Sequence, residues 1–434
     1  MSDSPSFVFF TCQVGAEPAL KHELACEWPA LRFAFSRPGF LTFKLGPSTQ
    51  LPDQFAQSLV FARAAGFCLG KTTGSTTAKR AASVWKLIGE RPVTQLHVWP
   101  RDRYSPGFRA YEPGITPEVT EIDRVIREAG AGHLTNAAPV DNPAAAPPAL
   151  PLPTASSEDE NPYRAATVRE RFSGKHSKGR NASSRSRVMN EPGKNKKEAA
   201  ATSGKSTAIV GPLIADVVIV DDDEWWVGYH RAHSLVSNWP GGFLQTSLPS
   251  DAVSRAWLKI HEALIWSGFQ LKSGQKCVEI GSAPGGAAQF LLAQGLDVIG
   301  IDPANMDPVV LADPHFRHIL KRSKEVPRRE FAGIDWLTCD INLPPNYTLD
   351  AVKAIVTHPG VRFRGMLLTL KLVEWSLADE IPKYLEKIRS WGYPQVRARQ
   401  LHHNRQEICV AASRPPSRRR IAPRKKVRVE AEDE

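Results

Sequence analysis

The sequence predicts an α/β architecture: a Rossmann-like, mostly parallel sheet covered on both faces, preceded by a smaller α+β domain and set apart from it by a long segment of unlike composition. Three observations carry this. The apolar strand Cys277-Val278-Glu279-Ile280 runs into a Gly/Pro-rich turn, Gly281-Ser282-Ala283-Pro284-Gly285-Gly286, and then into helix-like Ala287-Ala288-Gln289-Phe290-Leu291-Leu292. Strand and helix patterns alternate from residue 276 onward, as a parallel sheet with crossover helices requires. From about Gly130 to Lys205 no hydrophobic face recurs, so burial there could not offset the entropy of ordering the chain.

From the N-terminus, Phe7-Val8-Phe9-Phe10-Thr11 and Gly39-Phe40-Leu41-Thr42-Phe43-Lys44-Leu45 read as strands. Residues 17–28 place Ala19, Leu20, Glu23 and Leu24 at helical spacing, residues 55–61 read as a second helix, and 93–99 as another strand. Pro/Ala runs at 139–153, an acidic knot at Glu158-Asp159-Glu160 and a Ser/Lys/Arg/Asn/Gly stretch then mark a disordered linker. Strands are expected at 216–220, 276–280, 298–301, 335–339, 365–370, 395–401 and 407–412, with helices at 253–266 and 378–391. The resulting division is an N-terminal domain at 1–130, a linker at 131–207, the α/β domain at 208–413 and a charged tail at 414–434.

Composition narrows the partners. With 434 residues and 42% hydrophobic content the chain has room for two or three globular domains. No apolar run reaches membrane-spanning length, and Met1-Ser2-Asp3-Ser4-Pro5-Ser6 lacks the basic start of a secretory signal, so a cytoplasmic location with no membrane partner is expected. The six cysteines (12, 26, 68, 277, 339, 409) sit in apolar runs with no C-x-x-C pair, which argues for reduced thiols and against a metal site or disulfide framework. The net charge of +11 is uneven: residues 164–205 hold twelve Lys/Arg against three Glu, and 414–434 hold eight against four acids. Such segments grip nucleic-acid phosphates without sequence selectivity, or act as solvated spacers. Ser203-Gly204-Lys205-Ser206 ends like a P-loop but has no glycine at 199 and no strand before it.

The turn at 281–286 reads as a cofactor turn. Gly281, Gly285 and Gly286 remove side chains that would keep a ligand off the backbone, and Pro284 bends the loop ahead of the helix. Asp302 closes the next strand 21 residues after Gly281, where open α/β sheets place an acid on ribose hydroxyls. The pattern is G-x-x-x-G-G with a proline inside, not the G-x-G-x-x-G that cradles a pyrophosphate, which disfavours a nicotinamide dehydrogenase. S-adenosylmethionine, whose methionine end carries no phosphate, suits it better. Taken alone, the turn remains compatible with any nucleoside cofactor or with a tight strand-to-helix connection.

Four ionisable residues fall around that turn: Lys259 in a helix, Asp340 and Lys371 at strand ends, and Glu407 opening a strand. In this order the chain resembles the FtsJ-type RNA ribose 2'-O-methyltransferases, whose site is a Lys-Asp-Lys-Glu tetrad. Ser254 to Lys259 is similar to the segment carrying that family's first lysine, although Ala256 stands where relatives have a serine. Ala283-Pro284-Gly285-Gly286 resembles its Cys-Pro-Gly-Gly turn, residues 335–340 its Asp-Trp-x-x-Cys-Asp strand, Leu370-Lys371-Leu372 its second-lysine strand, and 403–407 its terminal acid. Asp302 matches its second-strand acid, while no acid for adenine is evident around Arg322 and Ser323.

The resemblance implies a Rossmann-like methyltransferase sheet and, from residues 9–45, a THUMP-linked, ferredoxin-like N-terminal domain that binds RNA. It implies S-adenosylmethionine as cofactor, held by Gly281, Ala283, Pro284, Gly285, Gly286, Asp302 and Asp340, and large-subunit ribosomal RNA, at a cytidine, as substrate. Lys371 is expected to be the general base, its pKa lowered by Lys259 and partial desolvation, with Asp340 holding both lysines and Glu407 orienting Lys371 or the attacking oxygen. The alternatives are an inactive RNA-binding protein that kept the fold, and 2'-O-methylation of another RNA.

Overall fold

The computed structural model describes residues 5–46, 48–105, 114–134, 211–234 and 236–415. The expected linker, the P-loop-like tetrapeptide and nearly all of the tail lie outside these residues, so the organisation expected for them is not addressed by the structure.

The first sheet is built from β1 (Phe7–Thr11), β2 (Arg32–Arg37), β3 (Phe40–Lys44), β4 (Ala64–Lys71), β5 (Gln95–Pro100), β6 (Leu213–Asp221) and β7 (Glu224–Arg231), in the order β2-β3-β1-β4-β7-β6-β5. Every pair is antiparallel except β5 with β6. Here the boundary expected at 208 is corrected: β6 and β7 follow the segment 135–210 in sequence yet complete the N-terminal sheet. Val217, Ile219, Trp225 and Val227 are buried against α2 (Thr77–Ile88) and α3 (Pro117–Ala129), while Val218 and Val220 face the other side of the sheet with Phe9, Phe40 and Trp99. With seven strands the sheet is wider than the four a ferredoxin-like unit contributes.

The helix at 17–28 forms as α1 (Glu17–Glu27), but the one expected at 55–61 does not; that stretch is a series of turns. Phe55, Leu59 and Phe61 are buried at near-helical spacing, which is why the sequence misleads. The Glu23 carboxylate accepts the backbone N–H groups of Val60 at 2.5 Å and Phe61 at 3.2 Å, taking donors that a helix would have used on its own carbonyls.

The second sheet contains β8 (Lys276–Ile280), β9 (Asp297–Ile301), β10 (Phe316–Ile319), β11 (Trp336–Cys339), β12 (Gly365–Lys371), β13 (Gln395–Arg399) and β14 (Glu407–Ser413). Its order is β10-β9-β8-β11-β12-β14-β13, and only β14 runs against the rest. This is a Rossmann-like sheet whose chain order reverses between β8 and β11, the place where open α/β sheets receive ligands. The helices are α4 (Ala256–Ser267), α5 (Gly286–Ala293), the single turn α6 (Pro308–Leu311), α7 (Pro345–Val356) and α8 (Ile381–Ser390). One continuous core joins the sheets: Val8, Phe10, Leu20 and Leu24 of the first belong to the same buried cluster as Leu368 and Tyr384 of the second.

Candidate functional site: four charged residues at the switch point

The topology brings all four residues of the expected tetrad together. Asp340 follows β11 directly, its N–H bonded to the Ile280 carbonyl at 3.0 Å, which fixes it beside the turn leaving β8. Because β14 is antiparallel, its first residue lies at the same edge as the last residue of β12, and Lys371 pairs in register with Glu407. Lys259 reaches in from α4, where Trp257 packs edge-on against Phe290 of α5 at 4.9 Å and sets the helix position. Lys371 Nζ lies 2.6 Å from Asp340 Oδ1 and Lys259 Nζ 3.2 Å from Asp340 Oδ2, while Glu407 bridges the same two lysines through its two oxygens. Two cations and two anions thus alternate in one closed ring.

This ring overturns the electrostatic expectation for Lys371. Burial pulls its ammonium pKa down as anticipated, but Asp340 and then Glu407 outweigh burial and hold the pKa above the ordinary lysine value. Each of the two ammonium groups contacts both carboxylates, and their pull on Lys371 outweighs the lowering expected from Lys259 and desolvation. Asp340 shifts the other way: burial raises its pKa, and Lys259 and Lys371 prevail and lower it. In this state the ring carries charge on Lys371 and Asp340 alike.

The turn sits immediately next to the ring. Gly281 has φ of +79°, and a Cβ there would fall 2.6 Å from the Asp340 carbonyl oxygen. A Cβ on Gly285, at φ of +123°, would meet Val310 and Met306 within 2.9 Å, and one on Gly286 would meet Ser254. The absent side chains at 285 and 286 therefore make room first for protein, locking the turn against α6 and the start of α4. Ala283 donates its N–H to Asp302 Oδ2 at 3.2 Å and Ala304 donates to Oδ1 at 2.8 Å, so Asp302 ties the turn to the end of β9. A cleft of about 680 Å³ opens beside them, lined by Gly281, Asp302, Arg322, Ser323, Tyr347 and Asp350 among others. Its volume and its glycine and acid walls fit a nucleoside-sized cofactor. Ala283, Pro284, Gly285, Gly286 and Asp340, which were also expected on the cofactor, do not line it.

Several residues escaped the sequence reading. Glu279 is fully buried on β8, its Oε2 without a hydrogen-bond partner among the described residues, and burial followed by Asp340 and Asp302 pushes its carboxyl well above the usual range. The signal was present: an acid two places before Gly281. Glu262, one turn along α4 from Lys259, accepts the N–H groups of His402 at 2.8 Å and His403 at 2.9 Å and so holds the loop that leads to Glu407. Asn404 donates from Nδ2 to Glu407 Oε1 at 3.3 Å. No local pattern announces these two, since their partners are distant in sequence or turn-specific.

Five of the six cysteines are buried and all are unpaired, with Cys26 exposed on α1. Among the described residues no helix is long and apolar enough to cross a membrane.

Comparison with known proteins follows this geometry. The chain is 31% identical over 185 residues to the ribosomal RNA large subunit methyltransferase M of Halorhodospira halophila, covering 42% of this chain and 53% of that protein. To the protein of the same description from Marinobacter nauticus it is 31% identical over 208 residues, covering 44% and 56%. The chain thus spans about half the length of the curated relatives it matches. A fibrillarin pre-rRNA processing protein from Methanococcus jannaschii superposes with a TM-score of 0.29 at 12% identity, over 49% of this chain and 86% of that one. Residues 252–381, which hold Lys259, the glycine turn, Asp302, Asp340 and Lys371, match the model of the FtsJ-like methyltransferase family.

Proposed function

We propose that the chain is an S-adenosylmethionine-dependent RNA 2'-O-ribose methyltransferase acting in the cytoplasm on large-subunit ribosomal RNA, at a cytidine. The observation that carries the reading is the closed ring of Lys259, Asp340, Lys371 and Glu407, three of whose members fall inside the FtsJ-like segment, beside the Gly281 turn that lines a nucleoside-sized cleft. The description of the relatives as ribosomal RNA large subunit methyltransferases supports the choice of RNA, and the N-terminal sheet is the candidate for gripping it. Gly281 and Asp302 would hold the cofactor in the cleft, with Ala283, Pro284, Gly285 and Gly286 shaping the turn behind it.

S-adenosylmethionine, when bound, supplies a sulfonium-activated methyl group and one positive charge. A ribose 2'-hydroxyl is a very weak acid, so the protein has to orient it and receive its proton as the new carbon–oxygen bond forms. Lys371 Nζ is the proposed acceptor, and its raised pKa means that it must first give up a proton of its own. A further positive charge added to a site with two lysines favours that release, and so does closure of the cleft around the substrate. Asp340 and Glu407 keep the Lys371 amine aimed while it is neutral, and Lys259, held by the same carboxylates, remains the cation that balances them. Mapping 2'-O-methyl positions in ribosomal RNA from cells lacking the protein, with restoration by wild type but not by Lys371→Ala, tests the reading. An unchanged methylation map would reject it.

A further inference from the structure

The loop that carries Glu407 is held from outside its own sheet. Between β13 and β14, Asn404 donates its side-chain amide to Glu407 Oε1 at 3.3 Å and accepts the Leu401 N–H at 3.0 Å, so its orientation is fixed at both ends. The Asn404 backbone carbonyl accepts a 2.9 Å hydrogen bond from Gln13 Nε2, and Gln13 belongs to the loop after β1 of the first sheet. Gln400 Nε2 donates to Gln13 Oε1 at 2.9 Å and to the Arg405 carbonyl at 3.1 Å. Gln13 and Gln400 are fully buried and Asn404 is 2% exposed, so these amides have no water to substitute for a lost partner. Gly15 of the same loop, at φ of +97°, faces Trp375, four residues beyond Lys371: a Cβ at Gly15 would lie 3.4 Å from the indole.

We infer that Gln13 of the N-terminal sheet is a positioning residue for the tetrad, acting through Asn404 on Glu407, so that the first domain sets catalytic geometry as well as holding substrate. This rests on the proposed methyl transfer, and deepens it by making the two sheets one catalytic unit. A buried amide pair of this kind has two discrete states, made or broken, and breaking it frees the 400–407 loop to shift Glu407 off the two lysines.

Gln13→Met keeps the length of the side chain and removes the amide. In the full-length protein its kcat is expected to fall about tenfold, the loss of a buried hydrogen bond that orients a charged group, with KM for RNA within about twofold of wild type. The pH profile of kcat should move to lower pH, because Lys371 is raised by Glu407 and Asp340 and would lose part of the first. Trace acetylation with mass spectrometry reads the neutral fraction of Lys371 without any methyl transfer. Lys371 labelling should rise several-fold in Gln13→Met, with exposed Lys383 as the internal reference. Asn404→Asp is the second variant, since it still accepts the Leu401 N–H but cannot donate to Glu407. Wild-type kcat and wild-type Lys371 labelling, in either variant that melts cooperatively, would overturn the inference. If wild type methylates no RNA but the labelling shift is present, the positioning role stands and the proposed function falls.

Discussion

The two sheets have equal strand numbers and opposite construction. In the second, five strands in a row, β10-β9-β8-β11-β12, are parallel, and β8, β9, β11 and β12 each lead into a helix before the next strand begins. In the first, six antiparallel or parallel pairings are closed only when β6 and β7 arrive from beyond residue 210. The second sheet concentrates chemistry at one edge. The first buries a carboxylate toward one end of its strand order, where Asp216 of β6 is fully enclosed between His97 of β5 and His230 of β7. What differs is the use of charge: at the tetrad four ions, three of them partly exposed, alternate at the carboxyl ends of the parallel strands, whereas Asp216 and its histidines are walled into a sheet.

The sharpest break in that comparison is at the ring itself. Asp340→Ala or Lys371→Ala should lower kcat by about a thousandfold or more, the range expected when general acid–base machinery is removed, while RNA affinity stays near wild type because the proposed role of both concerns the reacting hydroxyl rather than the phosphate backbone. Single-turnover methyl transfer alongside a binding isotherm separates the two quantities, and full activity in either variant would sink the tetrad. Wild-type kcat should rise with pH into the alkaline range, since the Lys371 pKa is raised and its neutral form is the one that accepts a proton.

Next in size is the first sheet's buried pair. Asp216→Asn leaves His230, whose Nδ1 lies 2.6 Å from Asp216 Oδ2, without its carboxylate and should cost about 3 kcal/mol of stability, measured by denaturant unfolding. Close to it in size is Gly281→Ala: its Cβ meets the Asp340 carbonyl, so S-adenosylmethionine affinity by calorimetry should weaken at least about tenfold, with a smaller loss of stability.

Smaller, and opposite in sign to each other, are the two histidines. Burial lowers the His97 pKa to about 4, so it stays neutral in the fold and costs stability as pH falls from its unfolded value through 4; His97→Gln should flatten that acid limb. For His230 burial lowers the pKa, but Asp216 outweighs it and the net shift is upward. Its stabilisation is present below the unfolded value and is lost as pH rises through the folded one, so His230→Gln should flatten the neutral-to-alkaline limb. Melting temperature against pH for both variants checks the pair of signs. Least of all, deleting 164–205 and 414–428 should shallow the salt dependence of RNA binding while sparing turnover at saturating RNA; an unaltered slope would return those segments to a solubility role.

What could be read in advance follows the same divide. The strands at 276–280, 298–301, 335–339 and 365–370 are bounded runs of apolar residues, and Lys371 and Asp340 stand where such runs stop, so local text was enough. β2 and β4 were missed because Arg32, Ser36, Gly66 and Gly70 interrupt their apolar pattern, whereas α2 carried a readable signal in Ala81, Val84, Trp85 and Ile88 at helical spacing behind a Thr76 N-cap that accepts the Lys79 N–H. Membership of β6 and β7 in the first sheet was illegible in principle: register across a long excursion is decided by packing, not by neighbours in sequence. The direction of the Lys371 shift was missed for the same reason, since it depends on how many carboxylates surround one nitrogen.

The pairing of β5 with β6 has a further consequence. Gln95 to Pro100 lie in register with Ile214 to Ile219, and Thr94 donates its hydroxyl to the Leu213 carbonyl, 119 positions away. Covalent continuity between those strands contributes only loop-closure entropy, which grows by about 0.6 kcal/mol for each doubling of length. A nick there should therefore leave two polypeptides that stay together through a shared sheet and core, and two separately expressed fragments meeting at this seam should reconstitute one molecule.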